Sequence, residues 1–290
     1  MLVIYNPTAG RRRAQLLWRV LDVLLHNGIR VEVAETTRAG DARTLAQAAA
    51  TAGTSLIVAA GGDGTIAEVA NGLAGSQSRL GIIPLGTANV LANELGLHKP
   101  AGEVAAALAF GRRRRLWPGR AITSDGCRLF VQMLGVGFDA HVVHRLSPFM
   151  KRHLGRGAYV AQTMRELPRY RFQPLRLRLD GKDEQAFSAI VSKGRFYGGR
   201  FVLAPAARPG EPGFSVTLFE VGGPFFTMLY GAALPFDLLP KTPGVRLCRA
   251  TQVEFLGNTP VLAQADGDAA GPAPLCVTDA PHPIEVVVGA

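Results

Sequence analysis

Short apolar runs alternate with amphipathic ones over the first third of the chain. Leu2 to Tyr5, Ile29 to Ala34, Ser55 to Ala60 and Leu80 to Pro84 are apolar and predict buried strands. Between them, apolar residues recur every three or four positions. Ala14 to His26 carries Leu17, Val20, Leu21, Leu24 and Leu25 on one face, Asp41 to Ala52 is Ala-rich, and the run from Thr65 groups Ile66, Val69, Ala70 and Leu73. These predict helices, as do the segment ending at Leu95 and Glu103 to Phe110. Strand and helix in alternation imply an α/β domain, a doubly wound, mostly parallel sheet with helices on both faces. Ligands of such sheets lie at the carboxyl ends of the strands. Four polar turns follow strands here: Asn6-Pro7-Thr8-Ala9-Gly10, Thr36, Gly61 to Thr65, and Gly86-Thr87-Ala88-Asn89.

After Arg112 to Arg115 the pattern changes. Leu116 to Thr123, Arg128 to Leu134, Leu175 to Leu179, Ala186 to Ser192, Arg200 to Leu203, Phe214 to Phe219, Val245 to Arg249, Gln252 to Leu256, Val261 to Ala265 and Ile284 to Val288 read as strands. Turns rich in Gly, Pro and Asp separate them, as at Asp180-Gly181, and helices interrupt at about 138–147 and 157–167. The expected organisation is an α/β domain over residues 1–115 and a β-rich domain, a sandwich or distorted barrel, over 116–290.

Composition narrows the function classes. With 48% hydrophobic and 19% charged residues, the 290-residue chain can bury a sizeable core. Its net charge of +10 favours an anionic partner: nucleic acid, a phosphate-rich ligand or an anionic membrane surface. No nucleic-acid motif or aromatic–basic platform supports the first. Cys127, Cys248 and Cys276 are far apart, which argues against a disulfide framework or zinc site and fits a reducing cytosol. The chain opens directly on a strand, with no visible signal peptide. Arg11 to Arg13, Arg112 to Arg115, Lys151 to His153 and Arg165 to Arg178 are basic clusters on what reads as a solvated surface. Val221 to Phe236 is uncharged but broken by Pro224 and Pro235, so it is too short to span a bilayer. Its Phe225 to Tyr230 core suits a lipid pocket or interface, or equally an ordinary core helix.

The centre of the first domain is Gly61-Gly62-Asp63-Gly64-Thr65, between a predicted strand and a predicted helix. Glycines let a phosphate approach the backbone, and the helix start offers free N–H groups with the dipole behind them. Asp63 would repel a phosphate unless a cation stood between, so it points to Mg2+ through water. The competing reading is an ordinary Asp-Gly turn. Gly135-Val-Gly-Phe-Asp139-Ala140 matches a dinucleotide fingerprint, yet no βαβ unit follows it, and a plain turn near the domain junction is the better reading. His141 and His144 lack a third ligand and read as surface residues. Neither a P-loop nor a Gly-x-Ser-x-Gly is present.

Taken together and in order, Asn6 to Gly10, Thr36 before Gly40-Asp41-Ala42, Gly61 to Thr65, Pro84 to Asn89, Gly135 to Asp139, Tyr197-Gly198-Gly199, Pro205-Ala206 and Asp266-Gly267-Asp268 resemble the diacylglycerol kinase/sphingosine kinase type of lipid kinase, in its bacterial soluble form. The resemblance covers the whole chain. It implies an N-terminal nucleotide domain and a C-terminal β-sandwich, with ATP and Mg2+ in the cleft between them. It implies an ATP site lined by Asn6, Pro7, Thr8, Gly10, Thr36, Gly61, Gly62, Asp63, Gly64, Thr65, Thr87 and Asn89, with Asp63 in a carboxylate–water–Mg2+ network. The catalytic acidic group maps to Asp266 and Asp268, which in an extended segment would face the same way; the competing reading of the residues is a surface Asp-Gly turn between strands. The implied activity is transfer of the γ-phosphate to a lipid hydroxyl in phospholipid biosynthesis, at the inner face of the membrane, by a cytoplasmic protein for which a homodimer is one assembly.

Three departures stand out. Val90 occupies the place of a usual Asp, Asp268 that of a usual Glu, and the Asp-Asp-Gly of a structural Mg2+ site appears as Glu211-Pro212-Gly213. Glu211 remains a potential ligand. The departures keep open a homologue that binds nucleotide or lipid without catalysis. NAD kinase shares the glycine loop but usually carries Asn-Glu after the second loop and a later Thr-Pro-Thr-Gly-Ser, both absent here.

Overall fold

The computed structural model describes residues 1–9, 14–97, 100–124, 126–147, 150, 155–257 and 261–289, with the side chain of Arg156 also outside the description. The chain forms two compact units, Met1–Trp117 with Pro281–Ala290, and Pro118–Ala280.

In the first unit, β1 (Leu2–Tyr5), β2 (Glu32–Glu35), β3 (Leu56–Gly61) and β4 (Arg79–Pro84) pair in parallel, in the order β2-β1-β3-β4. All six residues of β3 are buried. A parallel strand covered on both faces needs such an unbroken apolar run. Helices α1 (Ala14–His26), α2 (Asp41–Thr51), α3 (Asp63–Gly72), α4 (Val90–Glu94) and α5 (Ala101–Phe110) accompany them. Leu17, Val20, Leu21 and Leu24 of α1 enter a core with Val3, Val58, Ile83 and Leu108. Leu25 does not join this face and lies 58% exposed. The run Arg112–Leu116 is a strand, β5, with its four arginines exposed.

The strand Ile284–Val288 belongs to this first sheet rather than to the second domain. It pairs parallel to β4 and antiparallel to β5, and the order closes as β2-β1-β3-β4-(284–288)-β5. Periodicity identifies the strand but carries no information on which edge receives it.

The second unit contains β6 (Gly119–Thr123), β7 (Gly126–Phe130), β8 (Met133–Val136), α6 (Phe138–Arg145), α7 (Arg156–Glu166), β9 (Leu175–Leu179), β10 (Lys182–Ala186), β11 (Ser188–Ser192), β12 (Phe196–Tyr197), β13 (Phe201–Val202), β14 (Phe214–Phe219), α8 (Pro224–Ala233), β15 (Val245–Ala250), β16 (Val253–Leu256), β17 (Leu262–Ala265), β18 (Asp268–Pro272) and β19 (Leu275–Asp279); the strand of residues 284–288 is β20. Two antiparallel six-stranded sheets, β10-β9-β16-β19-β6-β7 and β15-β14-β11-β8-β17-β18, form the sandwich. In β9 the leucines are buried while Arg176 is exposed and Arg178 half-buried, the alternation of a strand with one wet face. Phe130, Leu177, Val191, Phe214, Val216 and Val277 fill the interior, with the Phe130 and Phe214 rings stacked 6.0 Å apart.

Two predicted strands are split, each for a backbone reason. Leu116 to Thr123 is interrupted by Trp117-Pro118, where proline removes a ladder donor. Arg128 to Leu134 breaks at Val131-Gln132, whose amide groups turn to a side chain described below.

Candidate functional site

The polar turns of the first unit are fastened to one another. Asn6 N donates to Ala60 O at 3.0 Å, and Asn6 Nδ2 donates to Thr65 Oγ1 at 3.1 Å, which ties the end of β1 to α3. Asn6 Oδ1 accepts from Thr8 N at 3.0 Å and Thr8 Oγ1 at 2.8 Å, folding Pro7 into an Asx turn. Gly61 O accepts from the amides of Leu85 and Gly86, which joins the ends of β3 and β4. Thr36 N donates to Tyr5 O at 2.9 Å after β2. Asn6, Pro7, Thr8, Thr36, Gly61 and Thr65 are thus gathered at the carboxyl ends of neighbouring strands, where an α/β sheet places its ligands. Gly10 lies outside the described residues.

The glycines are there for want of space. A Cβ on Gly61 would stand 2.4 Å from Thr65 Oγ1, and one on Gly86 would stand 2.5 Å from Gly62 Cα. A Cβ on Gly62 would sit at an ordinary 3.4 Å from Gly86 Cα. Two backbones therefore touch at the head of α3, whose N-cap Gly62 supplies no side-chain cap. Gly64 lies in the first turn of that helix. Its opening N–H groups and dipole make a place for an anion.

Asp63 takes a task that spacing alone does not reveal. Its Oδ1 accepts from Val90 N at 2.6 Å, and the amides of Leu91 and Asn89 also favour its charged form. Burial outweighs them and raises its pKa. The carboxylate caps α4, which has no other side-chain cap. Asn89 adopts φ 46°, and its Nδ2 donates to Gly86 O at 2.7 Å. Its buried Oδ1 has no hydrogen-bond partner. Thr87 is exposed on the same loop. Among the described residues no group of three His, Cys, Asp or Glu gathers as a metal site.

Glu68 is a site residue that periodicity does not reveal. From α3 its two carboxylate oxygens accept from Gly40 N at 2.9 Å and Ala42 N at 3.1 Å, capping α2 across the turn after Thr36. Asp41 closes the same turn through Thr37 and Arg38, and these bonds lower its pKa to about 2.

In the second unit, Asp266-Gly267 is not extended. It is a two-residue hairpin loop between β17 and β18, with φ of 52° and 85° and Ala265 opposite Asp268. The two carboxylates therefore do not follow the alternation of a strand. Asp266 turns back: Oδ1 accepts from Gln132 N at 2.8 Å and Met133 N at 3.1 Å, and Oδ2 from Val131 N at 2.8 Å. These are the amides that interrupt the predicted strand 128–134. Burial raises the Asp266 pKa to about 6, the three N–H bonds opposing it. Asp268 is half-buried, with Arg128 Nη2 at 3.7 Å.

A buried relay supports this loop from beneath. Gly267 N donates to Gln264 Oε1 at 2.8 Å, Gln264 Nε2 donates to Asp139 Oδ2 at 2.8 Å, and Tyr197 donates its hydroxyl to Asp139 Oδ1. Burial raises the pKa of both Asp139 and Tyr197. A Cβ on Gly135 would meet Asp139 Oδ2 at 2.5 Å. The Gly135 to Ala140 segment thus packs a carboxylate under the hairpin instead of receiving a dinucleotide. His141 and His144 are half-buried and partnered rather than loose on the surface: His141 meets Glu166 at 2.9 Å, and His144 meets Ala263 O at 2.8 Å.

The Val221 to Phe236 segment proves to be a surface element. Phe225, Met228 and Leu229 of α8 are 73%, 54% and 36% exposed, with Phe236 and Leu238 beside them at 74% and 53%. Tyr230 anchors the opposite face, its hydroxyl donating to Val221 O at 3.1 Å. Among the described residues no helix is long and apolar enough to cross a membrane.

Residues 1–121 match the diacylglycerol kinase catalytic domain, and residues 132–288 match the YegS C-terminal NAD kinase beta sandwich-like domain. The chain is 30% identical to a diacylglycerol kinase of Mycobacterium tuberculosis over 97% of its own length and 93% of that protein. It is 33% identical to a diacylglycerol kinase of Bacillus subtilis over 75% of its length and 73% of that protein. A Bacillus anthracis diacylglycerol kinase crystal structure shares the fold, with a TM-score of 0.73 at 18% identity over 99% of this chain and 96% of that one.

Proposed function

The chain belongs to the diacylglycerol kinase family of lipid kinases, and on that premise we propose that it moves the γ-phosphate of ATP to the hydroxyl of a diacylglycerol-like or sphingoid lipid. The observation that carries the nucleotide half is the backbone contact between Gly62 and Gly86 at the uncapped head of α3. It leaves N–H groups and no side chains for phosphate oxygens to meet. Asn6, Thr8, Thr36, Thr65, Thr87 and Asn89 complete the ATP contacts. Asp63 is the residue that would hold a nucleotide-bound Mg2+, which would supply charge neutralisation for the transferring group.

Asp266 is the proposed base. A carboxylate offers about four lone-pair positions, and three are taken by backbone N–H groups. The one left on Oδ2 would accept the proton of the attacking hydroxyl. A pKa of about 6 suits that exchange near neutral pH. Asp268 would support the hairpin through Arg128. The exposed α8 and the net charge of +10 favour peripheral binding to an anionic bilayer, where such a lipid is found.

Labelled ATP with mixed micelles of hydroxyl lipids tests the assignment. Label should enter diacylglycerol or a sphingoid base in the unmodified chain and not in Asp266→Asn. The second reading, a nucleotide- or lipid-binding homologue without turnover, draws on the three backbone donors that already occupy most of the Asp266 carboxylate. It would be favoured by ATP binding with no labelled product across the panel.

A further inference from the structure

The resemblance to the lipid kinases places a structural Mg2+ at Glu211-Pro212-Gly213, and the residues there do not fit one. The Glu211 side chain is exposed, and Pro212 brings no side-chain ligand. The oxygens that do converge already hold a cation of the chain's own. Lys193 follows β11, and its side chain is 0% exposed. Its Nζ donates to Glu211 O at 2.8 Å, Gly213 O at 3.0 Å and Asp279 Oδ1 at 2.8 Å. An ammonium has three donors, and here each has an oxygen. The Phe214 ring stands 4.9 Å from the same nitrogen. Asp279 Oδ2 in turn accepts from Gly213 N at 2.5 Å.

Two backbone carbonyls and one carboxylate around a buried positive charge form the kind of oxygen set that a hard divalent ion takes. They come from the segment before β14 and from the end of β19, which lie in opposite sheets of the sandwich. The partly buried Asp279 carboxylate and the two carbonyls that approach it call for a cation between them, and the chain supplies one covalently.

We propose that the Lys193 ammonium stands in for the structural divalent cation of this loop, so that the sandwich folds and holds its Glu211–Gly213 segment without any metal. The inference concerns stability alone and does not depend on which lipid is phosphorylated. It also separates two metal demands: any Mg2+ requirement of turnover would belong to the nucleotide, and none to the fold.

Thermal unfolding without nucleotide, in EDTA and in millimolar Mg2+ or Ca2+, tests it. The unmodified chain should show one Tm in all three buffers and bind no ion at this site in equilibrium dialysis. Lys193→Ala should unfold more than about 5 °C lower in EDTA, because Asp279 loses its partner. Its Tm should rise with Mg2+ or Ca2+, and the rise should disappear when Asp279→Asn is added. A divalent-dependent rise in the unmodified chain that Asp279→Asn abolishes would overturn the proposal. So would a Lys193→Ala chain as stable as the unmodified one in EDTA, or one that neither ion stabilises. If Lys193→Ala does not fold in any buffer, the unmodified chain decides: an unchanged Tm upholds the proposal, and an ion bound through Asp279 sinks it.

Discussion

Asp63 Oδ1 and Val90 N are joined by a 2.6 Å hydrogen bond. The carboxylate of the glycine loop thereby caps the short helix of the loop that follows the next strand. The resemblance leads one to expect an acid at Val90, yet this bond uses the Val90 amide, so the departure leaves the link between the two loops intact.

Asp63→Ala should therefore cost stability as well as turnover. Losing an N-cap acceptor typically costs about 1 kcal/mol, and urea unfolding would show it. Asp63→Asn keeps an oxygen facing Val90 and should lose less than half of that. If the carboxylate also serves Mg2+ through water, Asp63→Asn will need a higher Mg2+ concentration for half-maximal rate while unfolding almost normally.

Gly62 and Gly86 should respond unequally. An added methyl meets backbone at 3.4 Å in one case and 2.5 Å in the other. Gly62→Ala should bind ATP within a few-fold of the unmodified chain. Gly86→Ala should separate the loops and weaken binding by about tenfold or more, the equivalent of roughly 1.4 kcal/mol. The larger Gly62→Val should also weaken binding in a folded chain. Calorimetric titration with ATP distinguishes the three.

The raised pKa of Asp266 sets a pH dependence. As a base it must be ionised, so kcat should climb between pH 5 and pH 7, with a midpoint near the value of about 6. Asp266→Asn should remove that limb and lower the rate about 10²–10⁴-fold. For stability the sign is opposite. The folded chain holds the proton up to about pH 6, while an exposed carboxyl releases it from 3.8. The stabilisation is complete below that lower value and is lost as pH rises through 6. Denaturant unfolding at pH 4.5 and 7.5, compared between the unmodified chain and Asp266→Asn, reads this contribution.

Phe225 and Met228 should contribute to membrane binding without contributing to folding. Each is more than half exposed, so Phe225→Ser and Met228→Ser should leave Tm nearly unchanged. Burying such a side chain in lipid is worth roughly 1.5–3 kcal/mol, and each substitution should reduce sedimentation with anionic vesicles about tenfold or more. Raised salt should weaken what remains, since the basic residues act through screened charge. Unchanged sedimentation of the double variant would exclude α8 as the contact.

Much of this was legible along the chain. Leu175–Leu179, Phe214–Phe219 and Ile284–Val288 end where alternation says they should, because each has one strongly buried face. The β3–loop–α3 junction follows from an apolar run meeting glycines. What periodicity omits is partnership. Ile284–Val288 pairs with strands remote in sequence, and nothing in its own five residues names them. Asp266-Gly267 reads as an extended run or as a turn, and neither reading names the amides of residues 131–133 that claim its carboxylate. Glu68 and Lys193 sit at ordinary positions of a helix and a strand end. Their importance depends on backbone groups of other segments, which a linear pattern does not contain.

The place of β20 between β4 and β5 has a consequence for synthesis of the protein on the ribosome. The first sheet needs a strand that emerges only after the entire sandwich has been made. At about 5–20 residues per second, the sheet waits roughly 10–30 s with a gap between β4 and β5. During that interval the inner edge of β4 is an open template for other chains. The β5 segment, exposed and bearing Arg112, Arg113, Arg114 and Arg115, is a poor partner for a stray strand because its charges repel their like. Four arginines on an edge strand thus guard a nascent chain as much as they charge a finished surface.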